Sequence, residues 1–378
     1  MNARNLLVAI ALAFALPAGA QDIRIGGLLE TSGFIASLGQ PGVEGAQLAV
    51  EQVNAGGGVN GRKIQFVNVN SESDNTKTVS GFKRLQEQEK VVAVIGPMSS
   101  GSAFAVADAV EAAQLPMIAN GASRGIVQPP EKRRFMFLAP LTDVVVQSVM
   151  LKDMQAKGIR RIALLNSDVA FGTSGRDSLE KGVGAYGITI VAKETFGNAD
   201  TDMTPQLTKI RSTDAEATVI WATGAGLAIA TKNHRALGIK TPLYLAHSSN
   251  DFNFLRLAGE AANGILLPSS KIYVTDALPA SDPQKAVVTR FVSDYQKKYG
   301  KPPATFAGNG YDAAMILIEA IRKAGTDPVK LRDAIEGTRD YVGVTAVYAY
   351  GPTDHYGAKA ESVVMLTVKD GKFTLAGK

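Results

Sequence analysis

Short apolar runs alternate with amphipathic stretches along almost the whole chain, and this alternation restricts the fold more than any other feature. "IRIGGLL" (23–29) has the character of a buried strand. "GVEGAQLAVEQVNAGGG" (42–58) then carries Ala46, Ala49, Val50 and Val53 at helical spacing and stops at three glycines. The runs at 63–69, 91–96 and 115–120 read as further strands, with helices at 75–90 and 102–114. Near-continuous apolar strands separated by helices belong to a parallel sheet covered on both faces. A second series follows "FMFLAPLTD" (135–143), with strands at 161–166, 188–194, 217–223 and 242–247 and helices around 143–157, 173–186, 202–212 and 225–237. No solenoid period accompanies it, so the pattern predicts an α/β fold of two similar doubly wound lobes.

A chain of 378 residues is too long for one ordinary core, which agrees with two units. The expected linkers are "FLAPLTD", "LLPSSKI" (266–272) and the region around 341–347. If the helical stretches 282–300 and 311–325 return to the first lobe, the chain crosses three times and makes a hinge. The expected division places 21–140 with 272–342 in lobe 1 and 141–271 with 343–378 in lobe 2.

The amino terminus, "MNARNLLVAIALAFALPAGAQD", has Arg4, an apolar run from Leu6 to Leu16 and the small residues Ala18-Gly19-Ala20. These are the parts of a secretory signal, predicted over 1–20, with a soluble exported protein following it. Cysteine is absent, so neither a disulfide nor a lipid-anchored cysteine is available. The net charge of +5 is spread among alternating acidic and basic residues. It forms no basic stripe for nucleic acid. His234, His247 and His355 show no ligand-pair spacing, so no metal and no cofactor is expected. The chain also has no G-x-x-x-x-G-K-[ST] phosphate loop.

Two junctions remain as candidates. "VVAVIGPMSSGSAFAVAD" (91–108) runs from a strand into a helix and places Ser99, Ser100 and Gly101 at the turn. A helix start at the carboxyl edge of a parallel sheet presents free amides and a positive dipole end, a natural place for an anion. A plain N-cap by Ser100 or Ser102 is the other reading of these hydroxyls. "MIANGASRG" (117–125) ends the neighbouring strand and presents Gly121, Ala122 and Ser123, so the two corners together predict a carboxylate cradle.

These segments, with "IRIGGLLETSGFIASLGQPGVEGAQLAVEQVNAGGGVNGRKIQFV", "AFGTSGRDSLEKGVGAYG", "LGIKTPLYLAHSSN" and "GNGYDAAMIL", resemble the branched-chain amino-acid binding proteins. Those proteins are periplasmic receptors of ABC importers with two type I lobes, and the likeness covers nearly the whole chain after the signal. It implies a monomeric, non-catalytic protein of the periplasm that closes on a small solute and passes it to a membrane permease. It also implies a ligand carboxylate held by Ser100, Gly121 and Ser123, with Ser99 adjacent.

The departures from the family bear on the ligand. Where the family places a carboxylate for the ligand ammonium, this chain has His247, followed by Ser248, Ser249 and Asn250. An ammonium unpaired in a closed cleft is costly, which disfavours a zwitterion unless Asp251 reaches in. A tyrosine usual after the strand at 217–223 is replaced by Thr223, and aromatic positions by Leu38 and Phe171. Asn309 and Tyr311 lie near the third crossing and could supply an amide or a phenol. The expected ligand is an aromatic or hydrophobic organic acid, with a neutral or branched-chain amino acid as the alternative. A neutral His247 could accept from a hydroxyl or donate to a keto group. Two further alternatives are a sensory module feeding a signalling partner and an exported hydrolase using a serine with His247 as base.

Overall fold

A computed structural model describes residues 21–377. The expected signal segment lies outside them. The first sheet is built from β1 (Ile23–Gly27), α1 (Ala36–Ala55), β2 (Ile64–Asn68), α2 (Asn75–Glu87), β3 (Ala93–Ile95), α3 (Ser100–Ala113), β4 (Met117–Ala119) and β5 (Met136–Leu138). Its strands pair in parallel in the order β2-β1-β3-β4-β5. The chain then enters a second series: α4 (Asp143–Ala156), β6 (Arg161–Ser167), α5 (Ala170–Gly182), β7 (Thr189–Phe196), α6 (Thr204–Arg211), β8 (Ala217–Trp221), α7 (Gly224–Ala236), β9 (Leu243–Leu245), α8 (Phe252–Ala258) and β10 (Leu266–Ser269). It returns with α9 (Lys285–Tyr299), α10 (Thr305–Ala324), α11 (Pro328–Glu336) and the small hairpin β11 (Tyr341–Val342) and β12 (Val347–Tyr348). It ends in β13 (Val364–Lys369) and β14 (Lys372–Leu375).

The central strands are buried along their length, as in "ATVIW" of β8. The outer strands β2 and β7 carry exposed or half-buried residues after the pattern of sheet edges. Helix starts are fixed locally: Asp74 accepts from the Lys77 amide at 2.8 Å, and Asp327 accepts from the Lys330 amide at 3.0 Å with Pro328 in the first turn. Helix α1 begins earlier than its periodicity indicates. Pro41 lies inside the helix, and the first turn before it is closed by Leu38 and Gly39 amides donating to the Ile35 carbonyl.

The second sheet, ordered β14-β13-β10-β9-β8-β6-β7, is parallel from β10 to β7 and antiparallel at β13 and β14. The stretch 266–272 is therefore not all linker, because its first four residues are β10. Pro268 tolerates this place because the ladder to β9 is confined to Leu266 opposite Tyr244. Likewise Met136–Leu138, read as part of a linker, is the last strand of the first sheet.

The division expected at 342/343 is displaced along the chain. The Leu138 amide donates to the His355 carbonyl at 2.8 Å, and the His355 ring stacks on Phe137 at 4.3 Å. Residues 343–358 therefore stay with the first sheet, and the chain joins the second at Val364. The hinge is tied across its crossings: the Tyr348 hydroxyl donates to the Ala139 carbonyl at 2.6 Å, and the Tyr350 hydroxyl to the Leu138 carbonyl at 2.7 Å. Asp312 anchors the same corner by accepting from the Val344 and Thr345 amides, each at 2.7 Å.

Candidate functional site

A cleft of about 460 Å³ opens between the two sheets, at the carboxyl ends of their parallel strands. Corners of the first lobe contribute Phe34, Ile35 and Leu38, then Ser73–Thr76, Met98–Gly101, Asn120 and Ala122. Facing them are Val169–Phe171, Thr223, His247, Ser248 and Asn250 of the second lobe. Pro140 and Leu141 of the first crossing, with Thr305, Phe306 and Asn309 of α10, form the back wall.

Eight of the ten expected residues line this cleft: Leu38, Ser99, Ser100, Ala122, Phe171, Thr223, His247 and Asn309. Gly121 and Ser123 do not. A Cβ at Gly121 would stand 3.0 Å from the Ser100 Cα and 2.9 Å from Ile126, so this glycine lets the start of α3 pack against the end of β4. Ser123 is fully buried behind the wall, its amide donating to Ser100 Oγ at 3.4 Å. Its place is set by Asp143, which accepts from the next amide, that of Arg124, at 3.1 Å. Tyr311 also faces away, its hydroxyl donating to Gln52 at 2.7 Å.

The serine corner divides its work. Ser99, not Ser100 or Ser102, is the N-cap of α3, its Oγ accepting from the Ser102 amide at 3.4 Å. The amides of Met98 and Ser99 are taken by Glu30, a fully buried carboxyl whose two oxygens accept them at 2.9 and 3.1 Å. Burial pushes the Glu30 pKa up to about 6, against the two amide bonds that lower it. What remains for a guest is the Ser100 hydroxyl and the first-turn amides of Ser100 and Gly101. Those amides carry no hydrogen bond among the described residues.

The opposite wall is neutral. His247 is packed edge-on between Phe171 and Trp221, at ring separations of 5.6 and 5.9 Å. Burial lowers its pKa to about 4, only partly offset by a hydrogen bond to the Leu141 backbone. The ring is therefore an uncharged imidazole near neutral pH, and its Nδ1 has no partner. Asp251 stays out of the cleft: it caps α8 by accepting from the Asn253 amide at 3.1 Å, with the Ser37 side chain of α1 beside it. No lysine or arginine lines the cleft, and its one carboxylate is Asp74, an exposed residue. Unpartnered polar atoms gather here, on Asn120, Thr223, His247, Asn250 and Asn309.

Asn120 and the Ser73–Thr76 corner were not read from the sequence as site residues. The signal for the second was present: "SESDNT" joins a strand of the same sheet to a capped helix, as the serine corner does.

A family model described as "Periplasmic binding protein" matches residues 22–372. The chain belongs to the periplasmic binding protein family. Among relatives of this binding protein, Leu/Ile/Val-binding protein homolog 7 of Brucella suis is 25% identical over 97% of this chain and 94% of its own length. An extracellular ligand-binding receptor from Rhodopseudomonas palustris superposes with a TM-score of 0.87 at 24% identity, covering 94% of this chain and 99% of that one. The branched-chain amino acid transporter substrate-binding protein of Streptococcus pneumoniae, in complex with isoleucine, reaches 0.81 at 27% identity, covering 93% and 97%. The fold of this binding protein is the type I fold of its relatives, two α/β lobes joined by three crossings. No cluster of three or more potential metal ligands occurs among the described residues.

Proposed function

We propose that this binding protein is the periplasmic solute receptor of an ABC importer and captures a small hydrophobic or aromatic monocarboxylate. In this reading the carboxylate rests on the Ser100 hydroxyl and the Ser100 and Gly101 amides at the positive end of α3. The apolar remainder lies among Leu38, Phe171 and Phe306, and the lobes close over it by favouring the state in which both walls touch the guest. The proposed partner is a membrane permease, and the proposed working unit is a monomer.

The observation that carries the reading is the charge pattern of the cleft. The Ser100 hydroxyl and the first-turn amides of α3 stand at one end, while the facing wall has a neutral His247 and no carboxylate. Glu30 and Asp251, the buried carboxyls nearest by sequence to the two walls, are both committed to backbone amides. A hydrolase gains no support from this geometry, since His247 has no serine partner and its Nδ1 is unbonded.

Asp74 favours a second reading, a neutral or branched-chain amino acid whose ammonium is met by this carboxylate. Matched pairs separate the two: 4-methylpentanoate against leucine, and 3-phenylpropanoate against phenylalanine, followed by thermal shift and calorimetry. The acids are expected to raise the midpoint and the amino acids to leave it unchanged. Tighter binding of the amino acids, abolished in Asp74→Asn, would establish the second reading instead.

A further inference from the structure

In the carboxylate reading, the amides at the start of α3 serve two carboxylates. The apolar run of β1 continues to Glu30, and the Leu28 amide donates to the Ile95 carbonyl at 2.8 Å, which lays this segment beside the end of β3. Helix α1 presses closely on it, since a Cβ at Gly39 would stand 1.9 Å from the Glu30 carbonyl oxygen. The Glu30 side chain is thereby held under the serine corner, fully buried, where it takes the Met98 and Ser99 amides. The next two amides, of Ser100 and Gly101, are those left to a guest. No cation separates the two positions. The β2–α2 corner meets this segment through the neutral side chains of Asn68 and Asn70, and its charged residues Glu72, Asp74 and Lys77 are exposed. Burial and backbone amides alone act on the Glu30 carboxyl, and no lysine or arginine lines the cleft.

We infer that Glu30 is a positioning residue of the anion site and that it takes up a proton from solvent as the guest carboxylate docks. This rests on the carboxylate reading and adds a pH range to it. By holding the Met98 and Ser99 amides, Glu30 fixes the turn that presents the next pair. Its charge then stands beside that of the guest in a place water does not screen, and neighbouring like charges disfavour joint ionisation. The guest therefore raises the proton affinity of Glu30, and by linkage a protonated Glu30 favours the guest by the same factor. The free carboxyl titrates at about 6, so capture strengthens as pH falls from 7.5 towards 5.5. An ordinary guest carboxyl stays ionised over this range, and His247, at about 4, stays neutral.

Calorimetry on the full protein with 3-phenylpropanoate tests this at pH 5.5, 6.5 and 7.5, the middle value in two buffers of different ionisation enthalpy so that proton uptake is counted. Wild-type affinity is expected to rise about 5-fold or more from pH 7.5 to pH 5.5, with about half a proton taken up per guest at pH 6.5. Glu30→Gln should bind with one affinity at all three pH values and take up no proton. A Glu30 that only braced the turn would alter affinity in the variant and leave the wild-type profile flat. If the variant does not fold, the wild-type profile and proton count decide alone. A flat wild-type profile without uptake would overturn the coupling and leave carboxylate capture standing. Uptake that persists in Glu30→Gln would place the proton on another group and overturn it as well. Failure of the acid to bind at any of these pH values would overturn both.

Discussion

At the scale of single residues, the serine corner shows neighbours of one chemical type with separate duties. Ser100 faces the cleft and Ser99 holds the helix, so substitution should separate affinity from stability. Ser100→Ala is expected to weaken carboxylate binding about 10-fold, because a hydrogen bond to a charged group is lost, and to lower the melting temperature modestly, because the buried Ser123 amide loses its 3.4 Å acceptor. Ser99→Ala should cost about 1 kcal/mol of stability as a lost cap. Calorimetry and denaturant unfolding on both variants check the pair. Glu30 gives a pH signature. Its folded pKa of about 6 stands above the ordinary 4.5, so its contribution is fully present below pH 4.5 and is lost as pH rises through 6. Glu30→Gln has no such titration. Between pH 4 and pH 7 the stability difference should therefore move in favour of the variant by on the order of 2 kcal/mol, read by denaturant unfolding at each pH. Much of this site was legible because strand ends and helix starts announce the corners. Ser123 was misplaced because the side it faces is set by Asp143, a partner from beyond the next strand that no local pattern reveals. Asn120 was passed over because an asparagine after a strand reads as punctuation, and only its unpartnered amide in a closed wall marks it out.

At the scale of elements, α1 and α10 approach closely enough that glycine is required between them. A Cβ at Gly310 would lie 2.0 Å from the Gly42 carbonyl oxygen, and one at Gly45 would lie 1.8 Å from that of Ala307. These are the helices that carry Leu38 and Asn309 to the cleft, so their spacing sets the shape of the back wall. Gly310→Ala should force them apart, lower stability by about 1–3 kcal/mol and weaken every ligand together, as thermal melts and calorimetry would show. The helices and inner strands were readable from their periodicity, which strong burial imposes. β10 was obscured by Pro268, and β13 and β14 by short, half-polar runs whose strand character comes from pairing with β10 and not from their own composition.

At the scale of the whole molecule, binding depends on how readily the lobes meet. Ser37 of α1 and Asp251, the N-cap of α8, stand beside one another from opposite lobes without lining the cleft, so this contact is expected to act on closure and not on the guest. Ser37→Ala is expected to lower affinity about 5-fold, by the same factor for every ligand, as befits a change in closure. A calorimetric series over three ligands checks it, and unequal factors would show that Ser37 acts on the guest instead. The displaced third crossing has one more consequence. The second sheet receives β13 only after the chain has finished its work in the first lobe, so a chain cut before Val364 would leave β10 an unpaired border. Such a shortened product, otherwise nearly complete, would offer that bare strand to its own kind and be lost to aggregation.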